Sequence, residues 1–433
     1  MTEVDLGADP EADLIARRAR LMGPNVPTFY RAPVEIVRGE GVWLWDASGR
    51  RYLDCYNNVA HVGHCHPHVV AAISRQAGLL ATHTRYLHRG VLDYLERLMA
   101  TFGHGIAQGI MVCTGSEAND VALRMAQAAT GRRGIIATDA TYHGNTTAVH
   151  ALSARRTPVG GHPDHIRFVP APDGLAPAGG SAAAEARHLG AAVAAAAAEL
   201  GAAGHGVAAL ILCPVFANEG LPAVPRGHLD AAVAAVRGAG GLVIADEVQP
   251  GFGRTGSHFW AHDRLGLAPD IVTLGKPMGN GYPVAAVLAR PGPMAAFRER
   301  TGYFNTFGGN PVAAAAAAAV LDVIEAEGLM AHAARVGAET LARLQALRHP
   351  WLRQVRAEGL FFALEFRDEA GAPAGEFVAR LVEAMVARGV LLNRVGAGGQ
   401  ILKIRPPMPF GSEHAEILAR ALAEALAATP TGP

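Results

Sequence analysis

Between residues 65 and 300, seven short apolar runs alternate with longer alanine-rich amphipathic stretches: GIMVC, RGIIAT, IRFVPAP, VAALILCPV, GLVIADEV, DIVTLG and PVAAVLA. Each run is too short for a helix, is bounded by turn residues and is separated from the next by a helix-length segment. That pattern is the signature of buried strands in a mostly parallel sheet with helical crossovers. It commits this part of the chain to an α/β domain. The ends read differently. VWLWDASGRRYLDCY near the N-terminus suggests a hairpin, and the C-terminal portion mixes helices with GLFFALEF and ILKIRPP. We therefore expect residues 61–309 to form the large domain, with 1–60 and 310–433 supplying one smaller α+β domain. PAPDGLAPAGGSAAAEA is the expected long surface loop, and no internal repeat is apparent.

At 433 residues with 50% hydrophobic and 18% charged side chains, the chain can bury a sizeable core around a cleft. Lys plus Arg equals Asp plus Glu at 38 each, so no charge excess points to nucleic acid or an anionic membrane. A small-molecule partner is the expectation. The opening MTEVDLGADPEADLIARRAR has no apolar core of a secretory signal, and the alanine-rich GAAVAAAAAEL and NPVAAAAAAAV fall short of a membrane span and read as helices. Cys55, Cys65, Cys113 and Cys213 have neither CxxC spacing nor disulfide density, so a cytoplasmic location is expected.

In an α/β sheet, ligands gather beyond the carboxyl ends of the strands. Three motifs end there. MVCTGSEANDVALRMA reads as strand, Thr114-Gly115-Ser116 turn, then helix, and a helix N-terminus offers N–H groups and a positive dipole end to a phosphate. GLVIADEVQPGFGRTG puts Asp246 at the end of an apolar strand, where a carboxylate needs a partner such as a protonated ligand nitrogen. Thirty residues on, Lys276 closes DIVTLGK, where desolvation would lower its proton affinity and make it a nucleophile or base. Singly, these are also compatible with a plain N-cap, a turn-capping aspartate and a surface lysine. Together they are the parts that hold pyridoxal 5'-phosphate.

With these motifs, the sequence resembles the class III, ornithine aminotransferase-like, fold-type I pyridoxal-phosphate enzymes from about residue 25 to 425. The resemblance implies that Lys276 carries the cofactor as a Schiff base and moves protons, and that Asp246 pairs with the pyridine nitrogen. It implies that Gln249 lies beside the ring hydroxyl, that Gly115 and Ser116 hold the phosphate, and that Tyr142 and His143 of YHG are the ring-stacking aromatic and its neighbour. Thr306 of FNTFGGNP matches a threonine that reaches the partner subunit's cofactor phosphate, which implies a homodimer with shared active sites. YLDCYNNVAHVGHCHPHVV, TRYLH, HFWA, GKPMGNGYPVA and ILKIRPPM look more narrowly like the ethanolamine-phosphate and phosphohydroxylysine phospho-lyase branch. Relatives acting on α-amino acids carry an arginine where this chain has Lys403, two residues before Arg405. A lysine lacks the two-pronged fit to an α-carboxylate.

The activity so implied is β-elimination from a small phosphorylated primary amine, giving aldehyde, phosphate and ammonia. The alternatives are a class III aminotransferase using an ω-amine or amino acid donor, or a related aminophosphonate ammonia-lyase. Arg85, Lys403 and Arg405 are the candidate contacts for the substrate anion, with Lys403 and Arg405 able to share one strand face. Cys213 stands where many relatives have an acidic residue, and Glu219 is a nearby source of charge. Four histidines and a cysteine in HVGHCHPH could suggest zinc, but the stretch matches the family's metal-free turn.

Overall fold

The computed structural model describes residues 10–154, 156–172 and 181–431. The chain opens with the helix Pro10–Met22 and three antiparallel strands, β1 (Ile36–Glu40), β2 (Trp43–Asp46) and β3 (Arg51–Asp54). β2 and β3 are the hairpin read from VWLWDASGRRYLDCY. Asp46 closes its turn by accepting from the N–H groups of Ser48 and Arg50.

The central sheet holds all seven apolar runs: β4 (Gln108–Val112), β5 (Gly134–Thr138), β6 (Ile166–Val169), β7 (Val207–Leu212), β8 (Leu242–Asp246), β9 (Ile271–Leu274) and β10 (Ala285–Ala289). Their order is β4-β10-β9-β8-β7-β5-β6. The pairs from β6 through β9 are all parallel, whereas β10 runs antiparallel to both β9 and β4. Every residue of β5, β7, β9 and β10 is buried, as helices on both faces require. The carboxyl ends of β4, β7, β8 and β9 consequently open on one edge of the sheet.

Helix Gly115–Thr130 packs across β7, β9 and β10, while Ala182–Ala202 and Asp230–Gly238 pack together beside β5, β7 and β8. The stretch expected as a long loop therefore gives way at Ser181 to a capped helix, and residues 173–180 lie outside the described part. NPVAAAAAAAV forms helix Pro311–Ala326, whose small side chains allow close approach to helices Pro67–Ala77 and Arg89–Ala100. The same helix backs the 3₁₀ turn Lys276–Gly279.

The C-terminal part contributes β11 (Leu352–Glu358), β12 (Phe361–Phe366), β13 (Val390–Leu391), β14 (Asn393–Val395) and β15 (Ile401–Ile404). Four of them form the sheet β11-β12-β15-β14, and β13 instead joins β3 in parallel, so the two ends of the chain share one sheet. β12 and β15, the FFALEF and ILKI runs, are wholly buried. Among the described residues no helix is long and apolar enough to cross a membrane.

Candidate active site

The end of β8 is the best-anchored point of the cleft. Asp246 is buried, and its Oδ2 accepts from His143 Nδ1 at 2.6 Å and from Asn119 Nδ2 at 3.1 Å. Its Oδ1 accepts from the Val248 N–H at 3.0 Å. These donors offset the desolvation of the carboxylate. They are themselves held: the His143 ring meets the Thr141 hydroxyl at 3.0 Å through Nε2, and Asn119 Oδ1 accepts from Thr273 Oγ1 at 2.7 Å. With Nδ1 donating to the carboxylate, Nε2 is left to accept from Thr141, which fixes the tautomer and the ring plane.

β9 ends at Leu274, and Lys276 enters the following 3₁₀ turn with φ 35°, a left-handed conformation that side chains seldom adopt. Asn280 ties this turn to the chain at residues 62–63, accepting from Val62 N–H at 2.9 Å and donating to Gly63 O at 2.8 Å. Burial, followed by the nearby Arg405 guanidinium, pulls the Lys276 ammonium below its ordinary range; Asp246 opposes the shift.

Between β4 and helix Gly115–Thr130, Thr114 and Glu117 form a capping box: Thr114 Oγ1 accepts from Glu117 N–H at 3.1 Å, and Glu117 Oε2 accepts from Thr114 N–H at 3.0 Å. The turn is closely walled. A Cβ on Gly115 would lie 3.0 Å from Val248 Cγ1, and one on Gly144, at φ 146°, would lie 2.6 Å from Ser116 Oγ. Ser116 Oγ in turn donates to Asn145 Oδ1 at 3.0 Å. Gly115, Ser116, Tyr142, His143, Asp246, Gln249 and Lys276 line one open pocket, with Tyr142 half-exposed at its mouth.

This pocket fits pyridoxal 5'-phosphate on its own chemistry. The glycine-walled helix start offers N–H groups to a phosphate, Asp246 presents a fixed carboxylate, and Lys276 supplies an amine of lowered proton affinity.

Lys403 and Arg405 are both buried and converge on one atom, Gln249 Oε1, at 3.1 Å and 2.5 Å. Lys403 lies in β15 and Arg405 just beyond its end, where the Arg405 backbone N–H is pinned to Cys55 O at 2.8 Å. The guanidinium lies 4.4 Å from the Tyr56 ring centroid. Behind it, buried Arg254 donates to Pro406 O at 2.7 Å and holds the segment from the rear. Burial first and Arg405 second drive the Lys403 ammonium well below its ordinary value, and burial lowers Arg405 as well.

The other expected residues lie elsewhere in the chain. Arg85 is exposed and stacks on Phe304, 4.1 Å from its ring centroid, in a separate hollow bounded by Tyr86 and Tyr303. Exposed Thr306 lies between Phe304 and Phe307, outside the Lys276 pocket. Cys213 does line that pocket, and burial pushes its thiol far up. Glu219 is turned to Thr138, whose hydroxyl donates to its Oε1 at 2.7 Å. The histidines of HVGHCHPH disperse: His61 to Phe252 O, His64 to Asp54, His66 to Glu327 and His68 to Asp322.

Two residues escape the sequence reading. Asn119, one helical turn beyond Gly115, could have been found from the i, i+4 spacing that puts it on the pocket-facing side of the helix. Asn218 had no such signal. Its Oδ1 accepts from Gln249 Nε2 at 3.3 Å and from Lys403 Nζ at 3.4 Å, and its Nδ2 donates to Tyr142 O at 3.2 Å.

Comparison with known proteins agrees with this geometry. The family model for aminotransferase class-III matches residues 27–426. Alanine–glyoxylate aminotransferase 2-like of Drosophila melanogaster is 38% identical, over 94% of this chain and 85% of its own. Ethanolamine-phosphate phospho-lyase homolog 1 of Caenorhabditis elegans is 34% identical, over 93% and 90%. A phospholyase from Arthrobacter, solved in complex with phosphoethanolamine, superposes with a TM-score of 0.93 at 44% identity, over 96% of this chain and 100% of that one.

Proposed function

The chain belongs to the class-III aminotransferase family of pyridoxal-phosphate enzymes, and from that premise we propose that it is a phospho-lyase acting on a small phosphorylated primary amine such as phosphoethanolamine. One observation carries the choice of reaction. Lys403 and Arg405 meet at Gln249 beside Lys276, a pair of buried cations suited to a dianion on the substrate.

When bound, the cofactor supplies an electrophilic aldehyde and a ring that withdraws electrons. Lys276 would anchor it and, as a free amine, would remove the proton from the amine-bearing carbon of the substrate. Its lowered proton affinity favours the base form more than in an ordinary lysine. Asp246, oriented by His143 and Asn119, would present its carboxylate to the ring nitrogen. Gly115 and Ser116 would hold the cofactor phosphate, with Tyr142 and Gln249 lining the same pocket on the side of the ring. Lys403 and Arg405 bind the substrate phosphate and stabilise it as the C–O bond breaks. For phosphoethanolamine, with one water consumed, the products are acetaldehyde, phosphate and ammonia.

The same reading makes 61–309 the cofactor-binding domain and 1–60 with 310–433 the smaller one, in a cytoplasmic homodimer. Exposed Tyr86, Leu87, Phe304 and Phe307 support a partner surface, which would bring Thr306 and Arg85 to the other subunit's site. Light scattering would register a monomer if this is wrong. The reaction is tested by measuring phosphate, ammonia and aldehyde from phosphoethanolamine with no keto acid added. Amino transfer to pyruvate or 2-oxoglutarate without phosphate release would make the protein a transaminase instead.

A further inference from the structure

We infer that Asn218 is a specificity-determining residue: by remaining uncharged, it orients Gln249 and Lys403 while leaving the Lys403–Arg405 pair without a directly bonded carboxylate, so that a substrate dianion completes the site. The inference rests on the phosphorylated-amine reading above.

The argument starts from the hydrogen bonds, which form one directed chain. Asn218 Nδ2 donates to Tyr142 O at 3.2 Å, which turns its Oδ1 toward Gln249 Nε2 at 3.3 Å and Lys403 Nζ at 3.4 Å. With Nε2 so committed, Gln249 must present Oε1 to Lys403 and Arg405. Reversing either amide would aim an NH₂ group at a buried cation. Asn218 thereby sets where both positive heads stand.

The charges are equally one-sided. Lys403 and Arg405 are buried; Lys403 reaches two amide oxygens, Asn218 Oδ1 and Gln249 Oε1, and Arg405 reaches Gln249 Oε1 and the Tyr56 side chain. Amide dipoles offset only part of the cost of burying a cation. Glu219, the neighbouring carboxylate, is held by the Thr138 hydroxyl and the Asn218 N–H. Asp54 and Glu219 favour the charged forms of Arg405 and Lys403 only from a distance, and among the described residues neither head is ion-paired to a carboxylate, so a substrate anion can complete the site; a doubly charged phosphate balances two cations where a carboxylate balances one. An aspartate at 218 would put a carboxylate oxygen where Oδ1 now sits, 3.4 Å from Lys403 Nζ, and compete with the substrate for the same charge.

The test compares the wild-type holoenzyme with Asn218→Asp and Asn218→Ser, reading steady-state phosphate release and, by calorimetry, binding of inorganic phosphate. Asn218→Asp is expected to raise both KM for phosphoethanolamine and Kd for inorganic phosphate by at least about tenfold, with a much smaller change in kcat. Asn218→Ser, which adds no charge, is expected to weaken phosphate binding far less than Asn218→Asp. Phosphate binding by Asn218→Asp equal to the wild type overturns the inference, as does an equal loss in both variants. Should Asn218→Asp not fold, loss of inorganic phosphate binding in folded Asn218→Ser overturns it too. Failure of the wild type to release phosphate from phosphoethanolamine would instead sink the functional reading, and the calorimetric comparison would still decide this one.

Discussion

Replacing Arg405 with methionine separates the two effects that this guanidinium exerts. The first is direct. Arg405 Nη1 and Lys403 Nζ reach the same Gln249 oxygen, at 2.5 Å and 3.1 Å, so both heads lie within reach of one anion. Truncating one partner of a buried charge pair costs about 2–5 kcal/mol. With Lys403 still in place we take the lower part of that range, about 2–3 kcal/mol, which corresponds to a loss in kcat/KM of about 30- to 150-fold. The second effect is on proton affinity. After burial, Arg405 is the next cause lowering Lys276. Removing that cation raises the Lys276 pKa, so less of it is in the base form at a given pH. The acidic limb of the kcat profile should therefore move to higher pH. A coupled phosphate-release assay across a pH series measures both, and Arg405→Lys should restore the limb more than it restores KM, because it keeps the charge but loses the fork. A kcat/KM for Arg405→Met within about threefold of the wild type would refute the placement of the anion site. An unmoved limb would refute the coupling to Lys276.

Lys276→Ala should abolish the visible absorbance of the cofactor-loaded protein and lower turnover at least about 100-fold; a retained band would show that another residue anchors the cofactor. Lys403 gives a pH-dependent stability in the cofactor-free protein. Unfolded, it keeps its proton up to about 10.5; folded, it releases it well below that, so between the two the unfolded chain binds more protons and stability rises with pH. Urea midpoints across that window should climb for the wild type and flatten for Lys403→Met. Gly144→Ala should destabilise by about 1–3 kcal/mol and weaken cofactor retention, because the new Cβ meets Ser116 backbone Cα at 2.8 Å with φ at 146°. Thermal melts with and without cofactor separate those two losses.

The seven strands of the central sheet were legible because each is a compact apolar run bounded by turn residues, and four of them, β5, β7, β9 and β10, are buried throughout. Strand direction was not. Hydropathy carries no sign along the chain, so nothing in PVAAVLA distinguishes antiparallel β10 from its parallel neighbours. β1, IVRGE, lacks the pattern because it is largely exposed. Within the cleft, Asp246, Lys276 and the Gly115–Ser116 turn stood out because strand ends followed by polar residues are rare and local. Lys403 and Arg405 shared a face by simple alternation. Asn218 was invisible for the opposite reason. Its role is made by contacts to Lys403, 185 residues away, and to Tyr142, 76 residues away. The sequence reading instead looked to Cys213, which touches the pocket, and to Glu219, which turns aside.

The reversed direction of β10 has a mechanical consequence. A parallel neighbour to β9 would have required a long crossover after Lys276. The antiparallel return brings the chain back within residues 275–284, and Asn280 rivets that short arch to residues 62–63. Lys276 therefore sits on a bracket fastened at three points, to two strands of the central sheet and to the segment between β3 and helix Pro67–Ala77. Any displacement of its backbone would shear β9 against β10 inside the sheet. The anchor is the stator of this site. The travel needed to admit an amine and let an aldehyde leave falls to the opposite wall, where Tyr142 is half-exposed and held by Asn218.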